Sequence, residues 1–127
     1  MLTNVILGTN DLDRAEVFYD ALLALFGARQ VMKNDRSILW KPGDGGSGIA
    51  VCTPHDGQPA THGNGTMVGL RAGSLGELTR IYETALRLGG SCDGAPGERK
   101  PGVHAAYFRD PDKNKFGVFF VQPTPGN

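Results

Sequence analysis

The chain has 127 residues, enough for one domain built around one hydrophobic core. Its 13 basic and 13 acidic residues balance, and no basic block is present to neutralise a phosphate backbone, so we expect no nucleic-acid partner. No apolar run approaches a membrane span, and the first residues lack the charged and apolar regions of a signal peptide. The two cysteines form neither a disulfide framework nor a paired metal motif, so we expect a reduced, cytoplasmic protein.

The first strand is predicted at residues 4–8, where Val5 and Leu7 alternate with other residues. Asp11 offers a side-chain oxygen at the start of a helix, and Gly27 is suited to end that helix in a left-handed conformation. The helix carries one apolar stripe at three- and four-residue spacing, formed by Leu12, Ala15, Phe18, Tyr19, Leu22, Leu23 and Phe26. Strands are then predicted at residues 29–32, 37–40 and 48–53.

The same order of elements is predicted again after a turn-rich linker at residues 55–65. A strand at residues 66–71 precedes Ser74, which forms a capping box with Glu77 at the start of a second helix. Gly89 and Gly90 end that helix. Three further strands are predicted near residues 91–92, 103–108 and 115–121, the last two joined by the compact turn Asp-Pro-Asp-Lys-Asn at residues 110–114.

The two parts of the chain align as an internal repeat. At a spacing of 63 residues, Val5 falls on Val68, Tyr19 on Tyr82 and Gly27 on Gly90. At the last strands the spacing grows to 69, which places Gly48 on Gly117. The repeat predicts a single α+β domain of two βαβββ modules, residues 1–54 and 66–123, whose strands form a curved mixed sheet with the helices on its convex side and a half-barrel cup on the other.

Two stretches resemble the vicinal oxygen chelate superfamily, which contains glyoxalase I, bleomycin-resistance proteins and extradiol dioxygenases. They are residues 5–19, with Asn-Asp-Leu at 10–12 and Phe-Tyr at 18–19, and residues 105–115, whose turn is similar to the family's Asp-Pro-Asp-Gly-Asn with Lys113 in place of glycine. The resemblance implies paired βαβββ modules, a cup and a homodimer. It does not imply one activity, because the superfamily contains lyases, isomerases, oxygenases and non-catalytic binding proteins.

Metal-using relatives hold the ion with side chains on four cup-facing strand positions. The resemblance places these at Asn4 and Met67 on the first strands and at Gly117 on the last strand, and the internal repeat adds Gly48. None of the four is a usual ligand of zinc, iron or manganese. We therefore expect no metal and no other cofactor.

Strand alternation predicts which residues line the cup. The ligand-binding candidates are Asn4, Ile6, Gly48, Ala50, Cys52, Met67, Arg71, Gly117 and Phe119. Small residues there would leave volume for a guest, while Asn4 and Arg71 would orient it. The alternative interpretation is that Gly48 and Gly117 serve bulges or close strand packing.

Candidates for chemistry are few. A His104 that faced inward would suit general acid–base catalysis at neutral pH, although a structural histidine explains it equally well. His55 and His62 lie on the linker, whose composition is typical of an exposed loop. Cys52 would be a nucleophile only if its thiolate were stabilised, and is otherwise a small core residue.

Three functions therefore stay open. The first is a metal-free, cytoplasmic homodimer that binds a small, largely apolar or aromatic organic molecule in its cup, as in sequestration of a toxic compound. The second is a lyase, isomerase or dioxygenase with a rearranged metal or acid–base site at His104 or the linker histidines. The third is a structural or regulatory dimerisation module.

Overall fold

A computed structural model of the chain describes residues 1–123. These residues form eight strands and two helices, and neither helix is long and apolar enough to cross a membrane. In chain order the first module contains β1 (Asn4–Gly8), α1 (Leu12–Ala24), β2 (Ala28–Lys33), β3 (Ser37–Pro42) and β4 (Gly48–Cys52). The second contains β5 (Val68–Arg71), α2 (Leu75–Arg87), β6 (Ser91–Lys100), β7 (Val103–Arg109) and β8 (Lys115–Val121).

Each module has the same sheet topology. The strand orders are β1-β4-β3-β2 and β5-β8-β7-β6, and in both sheets the first strand is parallel to the last one while the other neighbours are antiparallel. The predicted tandem βαβββ architecture is therefore confirmed. Within residues 1–123 the strands make two four-stranded sheets rather than one continuous sheet, because β1 is hydrogen-bonded only to β4 and β5 only to β8.

The helix boundaries follow from local side-chain and backbone bonds. The Asp11 side chain accepts from the Arg14 N–H, and the Ser74 hydroxyl accepts from the Glu77 N–H, so each N-cap satisfies one free backbone donor. After α1, Gly27 adopts the predicted left-handed φ of +71°. After α2 the left-handed residue is Gly89 (φ +100°) rather than Gly90.

Gly90 is needed for a different reason. A Cβ built on it would lie 2.6 Å from the backbone oxygen of Arg109 and 2.7 Å from that of Ala85. The chain leaving α2 therefore passes too close to β7 for any side chain, whatever its φ. The 63-residue spacing still aligns the two helices and the strands that follow them, at Ala28 and Ser91, so only the left-handed conformation moves from the position of Gly90 to Gly89.

One hydrophobic core joins the modules. The stripe of α1 is buried as predicted, and Tyr19 contacts aromatic rings of both sheets, with centroid distances of 5.5 Å to Trp40 on β3 and 6.2 Å to Phe116 on β8. Leu78 and Ile81 from α2 belong to the same buried cluster. Burial of this many large apolar side chains supplies the main stabilisation of the fold.

The turn at residues 110–114 links the second module to the first. Asp110 accepts hydrogen bonds from the Tyr19 hydroxyl and from the backbone and side chain of Asn114. The Asn114 amide in turn donates to the Gly8 carbonyl. Asp112 accepts from the Thr9 hydroxyl, the Asn10 N–H and the Arg14 guanidinium. We call residues 110–114 the clamp turn.

The strand with the largest departure from prediction is β6. It runs for 10 residues instead of the two that the sequence indicated, and its pairing with β7 shifts register three times. These irregularities interrupt the alternation of side chains that a regular strand shows. Gly94 and Gly97 therefore made the segment look like a loop in the sequence, although the strand continues through both residues.

Candidate functional site

The face of each sheet opposite the helices is the candidate site, and we call it the concave face. In the first module Val5 and Leu7 pack toward the helix, so Asn4, Ile6 and Gly8 face the other side. The parallel pairing sets these three against Gly48, Ala50 and Cys52. In the second module Gly69 and Arg71 pair with Gly117 and Phe119. The structure thus brings the predicted residues of each module onto one face, with Met67 directly before β5.

The strand pairing also corrects the repeat at the last strands. Ile6 and Gly69 occupy equivalent places on β1 and β5; Ile6 pairs with Ala50, and Gly69 pairs with Gly117. Ala50, and not Gly48, is therefore the structural counterpart of Gly117. The spacing at the last strands is 67 residues rather than 69, because glycine identity had been matched instead of pairing with the first strand.

With this correction, the four positions that the resemblance assigns to metal ligands in relatives are Asn4, Ala50, Met67 and Gly117. They offer one amide oxygen and one thioether, and no imidazole, thiolate or carboxylate, so this donor set does not fit the family's ion. Throughout residues 1–123 no three His, Cys, Asp or Glu side chains converge closely enough to hold a metal.

The space beside the two glycines is filled rather than open. A Cβ built on Gly48 would lie 2.5 Å from the Trp40 backbone oxygen, so this glycine permits close strand packing. A Cβ built on Gly117 would lie 2.7 Å from the Phe119 ring and 3.1 Å from the Tyr107 ring. The expectation that these glycines leave a void is wrong in this respect: aromatic side chains cover Gly117.

The concave face of the second module is therefore aromatic at its centre. The Phe119 ring also passes over Gly69, at 3.4 Å from where a Cβ would stand, and meets Tyr107 edge to face with 5.9 Å between centroids. The Arg99 guanidinium and the Lys115 ammonium lie 5.5 and 5.4 Å from the Tyr107 centroid, within cation–π range. Phe119 and Tyr107 are both half-buried, so parts of their rings stay accessible.

Among the described residues whose contacts place them on this face, Asp93 carries the one carboxylate. Its oxygen lies 3.3 Å from Lys115 Nζ and 3.2 Å from Arg109 Nε. Hydrogen bonding to Lys115 is the largest cause that lowers the pKa of Asp93, and the charges of Lys115 and Arg109 act in the same direction. Asp93 therefore stays ionised and is already paired.

Two grooves lie at equivalent ends of the two modules. One, of about 570 Å³, is lined by residues 69–72 of β5 and its continuation and by residues 119–121 of β8. The other, of about 690 Å³, lies beyond the ends of β1 and β4 and is lined largely by the linker, including His55 and Pro59. In the first module Ala60 rests against Gly8 and exchanges two hydrogen bonds with Asn10, so the linker covers the end of the concave face there.

The remaining sequence candidates do not converge. His104 does not face the cup: it pairs with Phe120, shares a strand face with the buried Ala106 and Phe108, and lies 3.5 Å from Glu98. His55 sits 3.5 Å from Arg36, and His62 contacts the Gly63 carbonyl. Cys52 is half-buried on β4 and opposes Ser37.

Sequence reasoning missed the part played by Tyr107. The clamp turn fixes the register of the β7–β8 hairpin, which sets Tyr107 directly opposite Gly117. That register was readable from the turn, so an aromatic residue facing a glycine across a tight hairpin was the available signal. The position of Arg99 could not be predicted, because the register shifts of β6 obscure which of its side chains face the site.

Comparisons with known proteins agree with this geometry. The sequence profile of the Glyoxalase/Bleomycin resistance protein/Dioxygenase superfamily matches residues 2–118. A glyoxalase/bleomycin resistance protein from Albidiferax ferrireducens T118 is 33% identical, with a TM-score of 0.84 over 94% of this chain and 97% of that one. Among curated proteins no relative was found.

More distant structures share the fold alone. A glyoxalase/bleomycin resistance protein/dioxygenase family enzyme from Burkholderia phytofirmans PsJN is 19% identical, with a TM-score of 0.76 over 94% of this chain and 97% of that one. A lactoylglutathione lyase from Agrobacterium tumefaciens is 22% identical, with a TM-score of 0.68 over 94% and 92%. Taken with the tandem βαβββ modules and the clamp turn, the profile match and the 33% identical structure establish that this chain belongs to the glyoxalase/bleomycin resistance protein/dioxygenase superfamily.

Proposed function

We propose that this protein binds a small, largely apolar or aromatic organic molecule on the concave face of its second module, without a metal ion. The observation that carries the proposal is Phe119. Its ring occupies the space that a side chain at position 117 would take and borders the groove of about 570 Å³. Where metal-using relatives carry a metal ligand, this chain has an aromatic surface. Such a surface suits the binding of an organic molecule better than Lewis-acid chemistry.

A second copy of the chain is part of this proposal. The edges of β1 and β5 have no strand neighbour within residues 1–123, and apolar Ile6 and Val121 are each 63% exposed near them. Exposed sheet edges with apolar side chains favour association, and a homodimer that covers them would close the open cup. Light scattering should give twice the chain mass at micromolar concentration; a monomer would contradict this part alone.

Binding is tested with a neutral aromatic probe, 2-naphthamide, by calorimetric titration and thermal unfolding. At about 100 times its dissociation constant the probe should stabilise the folded protein by roughly 2.7 kcal/mol. Phe119→Ala should remove most of this binding, while Phe26→Ala, on the helix side of the first module, should leave the affinity unchanged. Equal affinity of the wild type and Phe119→Ala would place the ligand elsewhere.

Absence of the metal is tested separately by elemental analysis of the purified protein. We expect far less than one zinc, iron, nickel or manganese per chain, and no change in 2-naphthamide affinity after treatment with a chelator. Stoichiometric metal whose removal abolishes binding would overturn the metal-free proposal and favour an enzyme of the same superfamily.

A further inference from the structure

The concave face of the second module collects positive charge. Arg71, Arg99, Arg109 and Lys115 face it, and the opposing charge there is the single carboxylate of Asp93. Because Asp93 already contacts Arg109 and Lys115, it leaves the other two guanidinium groups uncompensated. A surface with such an excess attracts anions, and the attraction is strongest where an apolar wall excludes water.

Arg99 is partly committed to the protein itself. Its guanidinium donates to the Ala95 carbonyl over 2.7 Å and packs against the Tyr107 ring. Its position is therefore fixed by contacts within β6 and β7. Arg99 therefore adds to the positive electrostatic potential of the concave face, but its guanidinium is not free to pair with a ligand.

Arg71 differs because its donors are free. Among residues 1–123 its guanidinium makes no hydrogen bond or ion pair, and the residue is exposed. It is the pairing partner of Phe119 in the parallel β5–β8 ladder, and both residues line the groove of about 570 Å³. No acidic residue lines that groove. An aromatic ring and an exposed guanidinium without a protein partner among these residues thus lie side by side at one opening.

We infer that the ligand of this site is an aromatic carboxylate, with its ring against Phe119 and its carboxylate on Arg71. The inference rests on the proposed function and narrows it to a ligand class. A guanidinium and a carboxylate form a bidentate pair that a neutral amide cannot form. The affinity of the site should therefore depend on the charge of the ligand.

The experiment compares 2-naphthoate with 2-naphthamide, which share one ring system and differ in charge. Calorimetric titration of the wild type should give about 10-fold or greater preference for the carboxylate, the typical gain of a charge-assisted hydrogen bond. Arg71→Gln should abolish that preference, because it should weaken the binding of 2-naphthoate far more than that of 2-naphthamide. Arg71→Lys should retain part of the preference, and Arg80→Gln, which removes an exposed cation on α2, should retain all of it.

The outcomes separate the two claims. If both probes bind the wild type equally, and both are lost in Phe119→Ala, the aromatic site stands and the carboxylate class is wrong. If the preference survives in Arg71→Gln, Arg71 is not the anchor and the inference falls. If neither probe binds the wild type, the proposed function itself is contradicted.

Discussion

The hydroxyl of Tyr19 on α1 donates a 2.5 Å hydrogen bond to the carboxylate of Asp110, 91 positions away at the end of β7. Both groups are buried, and the bond lies between the first module and the clamp turn of the second. A hydrogen bond to a charged, buried acceptor contributes more than a neutral one, because breaking it leaves the charge underpaired in a medium that solvates it poorly.

Tyr19→Phe should therefore destabilise the protein by about 1.5–3 kcal/mol in urea unfolding. The repeat supplies a matched control, Tyr82→Phe, at the equivalent place on α2. Tyr82 is also buried, at 9% exposure, but its hydroxyl donates to no carboxylate among the described residues. A Tyr82→Phe loss as large as that of Tyr19→Phe would show that the ring environment, and not the Asp110 bond, carries the effect.

Stability should fall at high pH through the same pair. Burial first, and the nearby Asp110 charge second, raise the pKa of Tyr19 well above its ordinary value of 10.0. A folded-state pKa above the unfolded one means that the stabilisation is complete below about pH 10 and is lost as the pH rises further, by up to about 1.4 kcal/mol per pH unit. Urea unfolding from pH 8 to 11 should show a steeper fall for the wild type than for Tyr19→Phe; parallel profiles would contradict this.

Replacing Lys113 in the clamp turn with glycine should increase the stability of the protein. It is the one residue other than glycine with positive φ, at 72°, in the described part of the chain, and its side chain is exposed. Lys113→Gly relieves the left-handed strain but frees the unfolded chain, so the net gain should be about 0.5–1 kcal/mol. Lys113→Ala keeps the strain and should change stability by less than about 0.5 kcal/mol. Thermal unfolding that ranks alanine with glycine would argue against strain at this position.

Gly48→Ala should act mainly on stability, whereas Gly117→Ala should act mainly on binding. The new Cβ at position 48 meets a backbone oxygen that cannot move alone, so we expect a loss of about 1–3 kcal/mol. At position 117 it meets the end of a side chain, so Phe119 can turn aside at a cost of about 1 kcal/mol or less. Gly117→Ala should instead weaken 2-naphthamide binding by displacing that ring. Titration and urea unfolding of both variants check this; equal stability losses with unchanged binding would refute it.

Most of the fold was readable because the signals were local. The apolar stripe with Phe18 and Tyr19, the cap at Ser74 and the strand at residues 115–121 each depend on neighbouring residues, and the structure has them as predicted. The end of α2 was predicted correctly, but the separate roles of the two glycines that follow it were not. Consecutive glycines at 89 and 90 share a chain reversal and a close approach, and composition alone does not tell which does which.

The candidate site was readable in part, for a different reason. The alternation of side chains correctly placed Ile6, Arg71 and Phe119 on one face of their strands. Gly48 was taken as the counterpart of Gly117 in place of Ala50, because residues were matched along the chain and not by strand pairing. The bond between Tyr19 and Asp110 left no trace in sequence. Each residue had a sufficient local explanation, one as part of a stripe and the other as part of a turn.

The clamp turn has a consequence for how the two modules stay together. Thr9, Asn10, Arg14 and Tyr19 on one side, and Asp110 and Asp112 on the other, are bonded directly, with no involvement of the connecting loop at residues 55–65. A protease that nicked this loop would release no fragment. The two modules should stay associated after such a cut, because these bonds and the shared hydrophobic core hold them together.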